Sequence, residues 1–190
     1  MKRLSKLLAL TLTGVMALTL LAGCSGGVAL SEKEILENFK DFYKVEVYPI
    51  EFTDDTTNYA QKAANAVKVY YNGLAEEEKA EFDVEELIDS IAEFNDPAGV
   101  CDAVVPNGSS VAFELYCATI ENVRTPYFQK QMNYIVAQQL LYGAYAYLTP
   151  SANITDNVAL SSQIETIGSD TYIFMVMRSI SNCLLYTSDA

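Results

Sequence analysis

Residues 127–148 most constrain the fold, because they carry the longest unbroken helical pattern in the chain. Thr125-Pro126 reads as an N-cap followed by proline at the first helical position, where a missing N–H costs nothing. Pro150 lies beyond the far end. Phe128, Met132, Ile135, Val136, Gln139, Gly143 and Tyr147 recur at helical spacing and are expected to share a face. Tyr127, Tyr134, Tyr142 and Tyr145 fall along another edge, with Gln131 and Gln138 between them. A helix of this length spans about 33 Å, enough to cross a small domain.

Further helical signals lie upstream. Ser31 with Glu34 is a capping box, and Ile35, Leu36 and Phe39 follow, so a helix is expected over 32–43. Thr57 is expected to cap a second helix carrying Ala60, Ala63, Val67, Tyr70 and Tyr71 and ending at Gly73. Residues 74–82 read as a short helical piece. Asp83 with Glu86 forms another capping box. The stripe Val84, Leu87, Ile88, Ile91 and Phe94 then predicts a helix that Asn95-Asp96-Pro97 breaks. Pro106 to Ser109 is a turn. Residues 111–123 read as helix, with Phe113, Tyr116, Cys117 and Ile120 on one side, and residues 157–167 as a shorter one stopped by Gly168. Strand signals are few: the weak alternation of Val45–Phe52 around Pro49, and the β-branched and aromatic run Tyr172–Met177. The partner of that run is expected beyond the visible sequence. The expected fold is therefore mainly α: a bundle-like single domain with a minor two-strand element.

Charge and composition exclude several functions. The chain has 25 acidic against 12 basic residues, a net charge of −13, and no histidine. That charge repels phosphate backbones, so nucleic acid is not an expected partner. Without histidine there is no Ser-His-Asp or Cys-His system and no imidazole metal ligand in view. No glycine-rich phosphate loop, nucleophile elbow or EF-hand loop appears. No cofactor and no metal are expected.

The two ends carry the most specific signals. Lys2, Arg3 and Lys6 precede an apolar run over Leu7–Leu21, and Leu21-Ala22-Gly23-Cys24 follows. A positive flank, a short apolar core and a small-residue cleavage site make a secretory signal rather than a membrane span. LAGC resembles the lipobox of bacterial lipoproteins. The resemblance covers residues 1–27 and implies cleavage before Cys24, a diacylglyceryl thioether on Cys24, and anchoring on the extracytoplasmic side of the cell membrane. Ser25 to Leu30 would be a short linker reaching about 20 Å. At the other end, Cys183–Ala190 reads CLLYTSDA. Its codons can spell TGT-CTC-TTA-TAC-ACA-TCT-GAC-GCT, which resembles the transposon-end adapter of tagmentation sequencing libraries. The expected organisation is a leader over 1–23, a lipidated cysteine and linker over 24–30, a domain over 31–182 truncated at its C-terminus, and a non-native tail over 183–190.

Within the domain, Cys101 and Cys117 form an even pair, open to a disulfide in an exported context or to two buried thiols. The acidic run from Glu76 to Asp96 reads as the solvated face of a helix or as a site for a cation or a basic partner. The tyrosine edge with Gln131 and Gln138 offers aromatic area beside amide hydrogen bonders, which suits sugars or peptides. Glu114 and Glu121, seven apart in an apolar stretch, are the carboxylates placed best for hydrolytic chemistry. The leading expectation is a non-enzymatic binding or interaction domain on a lipid anchor. A carboxylate-dependent cell-wall glycan hydrolase and a structural envelope lipoprotein are the alternatives.

Overall fold

The computed structural model describes residues 30–47, 50–93, 95–104, 113–120, 126–147 and 157–179. Cys24, Glu121, Phe94, the turn at 106–109 and the tail at 183–190 lie outside them, as does the side chain of Tyr127.

A five-stranded mixed sheet replaces the expected bundle, and the fold is α/β rather than mainly α. In chain order the elements are α1 (Glu32–Glu46), β1 (Glu51–Asp54), α2 (Tyr59–Gly73), α3 (Glu76–Glu81), α4 (Val84–Ala92), α5 (Val100–Val104), β2 (Phe113–Ile120), α6 (Pro126–Tyr142), β3 (Ala144–Tyr147), β4 (Asn157–Ile167) and β5 (Asp170–Ser179). The strand order across the sheet is β1-β4-β5-β2-β3. β1 runs parallel to β4, with Glu51 opposite Asn157, and the other three pairings are antiparallel.

Each face of the sheet is covered by helices. On one side α2, α4 and α5 pack Ala60, Ala63, Val67, Leu87, Ile88 and Val100 against Phe113, Leu115, Cys117, Phe174 and Val176. On the other side α1 and α6 pack Ile35, Phe39, Val136 and Leu140 against Tyr116, Ala118, Ile173, Met175 and Met177. A strand buried on both faces has no polar alternate positions, so it reads as a continuous apolar run. Such a run also satisfies the helical template. That is why residues 113–120 mimic a helix: Phe113, Tyr116, Cys117 and Ile120 do fall at helical spacing, yet they enter opposite cores.

Two further expectations fail for local reasons. Residues 157–167 are β4, and Gly168 is the first residue of a two-residue hairpin rather than a helix stop. Gly168 has φ +63° while Ser169 is not left-handed, the arrangement of a type II′ turn. The long helix ends at Tyr142, and residues 144–147 form β3. Ala144 and Ala146 face the core while Tyr145 is exposed, so the A-Y-A-Y alternation has the strand period of two. Gly143 makes the junction possible. A Cβ there would lie 2.4 Å from the Gln139 carbonyl oxygen, which is backbone and cannot yield. Tyr172–Met177 is a strand as expected, but both partners, β2 and β4, lie within the chain.

The helices over the first hundred residues follow their signals closely. The Ser31 hydroxyl caps α1 by accepting from the Glu34 N–H, and α1 buries Ile35, Phe39 and Tyr43. α2 is capped by Asn58, in the left-handed region at φ 49°, rather than by Thr57. Asp83 caps α4 by accepting from the Glu85 and Glu86 N–H groups, and the stripe of Val84, Leu87, Ile88 and Ile91 is buried.

Buried polar groups tie the layers together. Asn133 of α6 is fully buried; it accepts from the Ser31 N–H at 3.0 Å and donates to Glu34 Oε2 at 2.6 Å. Asp55, just after β1, accepts from the Thr57 N–H and from Arg178 Nε of β5. Lys68 of α2 pairs with Glu165 of β4, and Ser162 of β4 donates to Glu32 of α1.

Candidate functional site

β3 is shorter than the strand it pairs with. Its pairing to β2 runs from Glu114↔Tyr147 to Cys117↔Ala144 and stops, while β2 continues to Ile120. The uncovered end of β2, the last turns of α6 and one residue of α4 enclose a cleft of about 390 Å³. Its walls are Ile135, Gln138, Gln139 and Tyr142 of α6, Gly143, Cys117 and Ala118 of β2, and Glu85 of α4. This size is in the range of small-molecule sites.

Glu85 is the polar organiser of that cleft. Its Oε1 accepts both the Thr119 N–H at 2.8 Å and the Thr119 hydroxyl at 2.7 Å. One turn further along α4, Asp89 Oδ1 accepts from the Tyr145 N–H on β3 at 3.3 Å. Glu85 therefore stands where a longer β3 would present a carbonyl group to β2, and Asp89 stands where a sixth strand would present one to β3. They cap backbone donors that would otherwise invite edge pairing. Neither role was legible locally, since Glu85 and Thr119 are 34 residues apart.

The acidic run thus has a structural use. Glu78 accepts from the Ala75 N–H, Asp83 caps α4, and Asp96 accepts from the N–H groups of Val100 and Cys101 at the start of α5. Glu76 pairs with Lys79, whose ammonium pKa is raised first by that hydrogen bond. Among the described residues no group of three or more carboxylates or thiols is arranged to hold a metal ion.

The tyrosine edge is only partly a single surface. Gln138 and Tyr142, one helical turn apart, meet in the cleft, and Tyr142 is 64% exposed. Gln131 is exposed beside them. Tyr134 is exposed too, but its ring sits edge-on against Phe42 of α1 at 4.7 Å, on the seam between the two helices. Tyr145 is not on the helix: it lies in β3 and stacks on its cross-strand partner Tyr116 at 5.6 Å. Phe128, Met132, Ile135, Val136, Gln139, Gly143 and Tyr147 do not share one helical face as expected, since the helix ends at Tyr142. Asn133, Val136, Ala137 and Leu140 point inward, whereas Phe128 and Gln139 are exposed. Asn133 is tolerated inside because its amide is satisfied by hydrogen bonds to Ser31 and Glu34. Phe128, Lys130, Gln131, Tyr134, Gln139 and Tyr142 face solvent, with Lys130 the one charged residue among them.

Two other hollows among the described residues are less suited to a ligand. The one between α1 and the β1–α2 turn, about 720 Å³, is charged, but its charges are engaged: Lys33 pairs with Glu37, Lys40 with Asp54 and Asp55 with Arg178, while Glu32 accepts from the Ser162 hydroxyl. The one beside Tyr70, Leu74 and Phe82, about 370 Å³, is rimmed by Glu78, Glu81, Asp83 and Glu86, of which Glu78 and Asp83 serve as caps.

Glu114 is buried in β2 and accepts a 2.7 Å hydrogen bond from the Tyr116 hydroxyl two residues on. Because residues 113–120 are a strand, the helical spacing that was to bring Glu114 and Glu121 onto one face does not apply. Cys101 and Cys117 are free thiols, not a disulfide. Burial pushes the Cys101 thiol up to about 12, helped by its hydrogen bond to Asp96 and that residue's charge. Burial raises Cys117, 0% exposed, well above the usual thiol value. Both are therefore poor nucleophiles.

No protein-family model, no curated protein and no solved structure matches this chain.

Proposed function

We propose that this chain is an exported lipoprotein, held at the outer side of the cell membrane through Cys24, whose domain is a non-enzymatic binding module. The observation that carries the binding reading is the cleft at the end of α6. There Gln138, Gln139 and Tyr142 supply amide and phenol groups, and Glu85, hydrogen-bonded to Thr119, is the one charged side chain among the described lining residues. Amides and a tyrosine offer both donors and acceptors beside apolar area, which suits recognition of a neutral polar ligand. The thiols are held protonated and are poor nucleophiles, which also favours binding over covalent catalysis. The anchoring reading rests on the sequence Leu21-Ala22-Gly23-Cys24 behind a basic, apolar leader. Among the described residues no helix is long and apolar enough to cross a membrane.

Each half has its own test. Cys24→Ala is expected to move the protein out of the membrane fraction or leave the leader uncleaved; normal processing with retention in the membrane refutes the anchor. A photo-crosslinking residue placed at Tyr142 is expected to label an occupant in intact cells, and the same residue at Val69, exposed on α2, is not. Equal labelling at both positions refutes the binding surface.

A further inference from the structure

We infer that the cleft between α6 and the open end of β2 is a site for a neutral saccharide; this rests on the binding reading above and narrows it to one ligand class. The argument begins with what the cleft withholds. An extended peptide commonly binds at such a place by adding a strand to the free edge, its carbonyl groups taking backbone N–H donors. Here the Thr119 N–H is already given to Glu85, and the Tyr145 N–H to Asp89. Two carboxylates fixed along the edge would also repel an incoming peptide carbonyl. Recognition must therefore come from side chains.

Those side chains match hydroxyl groups. Gln138 and Gln139 each present a carbonyl acceptor and an NH₂ donor, and the Tyr142 hydroxyl can do both. A sugar hydroxyl likewise donates and accepts. The Tyr142 ring, 64% exposed at the mouth, supplies a flat apolar surface for the C–H face of a pyranose, and Ile135 adds apolar wall. Glu85 also lines the cleft and adds a carboxylate acceptor. Among the described residues no cationic side chain lines it, and with a net charge of −13 an acidic sugar or a phosphate would be repelled. Neutrality is thus part of the specificity.

The test titrates cellotetraose, maltotetraose and tetra-N-acetylchitotetraose, and in parallel a degenerate library of uncharged hexapeptides, into the full lipidated chain in phosphatidylcholine nanodiscs by calorimetry. At least one tetrasaccharide is expected to bind. Tyr142→Ala and Gln138→Ala are each expected to weaken it by about tenfold, the scale of a lost hydrogen bond or ring contact. Tyr134→Ala, on the α1 seam outside the cleft, is expected to leave it unchanged. Exposed Tyr142 contributes little to the core, so its variant keeps the fold, and an unchanged unfolding midpoint checks this. If peptides bind in a Tyr142-dependent way and no tetrasaccharide does, the saccharide assignment is overturned while the binding reading stands. If neither class binds, both fall. Saccharide binding that ignores both α6 substitutions overturns the location.

Discussion

Arg178→Met tests the sheet through one contact. Asp55 follows β1 and Arg178 lies in β5, 123 residues away, and they meet only because β4 lies between those strands. The Asp55 side chain is 1% exposed, and the Arg178 side chain 28%. Removing the arginine leaves a carboxylate in the interior without its cation, which costs about 3–5 kcal/mol in comparable settings. Two features pull the value toward the lower end. Asp55 keeps the Thr57 N–H as a donor at 3.0 Å, and the partial exposure of Arg178 lets water approach the vacated space. The expected loss is about 3 kcal/mol, or roughly 6–12 °C in Tm for a domain of this size. Arg178 also lies 5.7 Å from the Tyr59 ring, and losing that contact belongs to the same total. Asp55→Asn keeps an acceptor for Thr57 and strands only an arginine that water can reach, so about 1–2 kcal/mol is expected. The double variant should be less damaged than the sum of the singles by about 1–3 kcal/mol. Urea unfolding followed by circular dichroism measures all three. An Arg178→Met chain within about 0.5 kcal/mol of wild type, or strict additivity, would refute the pairing and with it this placement of β1 and β5.

Three further outcomes are expected. Gly168→Ala should cost about 1–2 kcal/mol in denaturant unfolding, because the residue sits at φ +63° and a Cβ would lie 2.7 Å from the Tyr71 hydroxyl; unchanged stability would contradict the hairpin. Cys101 and Tyr172 are raised to about 12 from ordinary values of 9.0 and 10.0, and Cys117 is raised as well, so the folded state favours their neutral forms. That contribution is complete below pH 9 and is lost as pH climbs toward 12; Cys117→Ala should flatten the alkaline limb of a stability–pH curve, and an unaltered limb would contradict the burial of that thiol. Replacing both Glu85 and Asp89 by Ala uncovers the Thr119 and Tyr145 donors and should promote concentration-dependent association, seen by light scattering; a chain that stays monomeric at high concentration would show that these carboxylates are not what guards the edge.

The tyrosine edge shows how sequence and structure divide the candidate site. Helical spacing rightly joins Gln138 to Tyr142, because residues four apart on one helix are neighbours whatever surrounds them. The same spacing wrongly adds Tyr145, because it cannot see that Gly143 ends the helix. Glu85 carries no local mark of its contact with Thr119; on α4 it is one more acid opposite an apolar stripe. The fold was legible wherever the chain signalled its own ends: Ser31 and Asp83 start helices through short-range hydrogen bonds, and Gly73 is the last residue of α2. Gly168-Ser169, closing a two-residue turn between Ile167 and Asp170, is likewise a hairpin signal carried by the local sequence.

What the sequence determined by itself is what depends on neighbours a few residues apart: the capped helices of the first hundred residues, the strand character of Tyr172–Met177, the acidic charge and the lack of histidine. What only the tertiary structure decided is what depends on the environment of both faces. Residues 113–120 and 157–167 became strands because β5 needed a partner on each side, and hydrogen bonds to a neighbouring strand outweigh a modest helical preference. The cleft exists for the same reason, since it is the space left where β3 stops short of β2 and α6 closes over the gap.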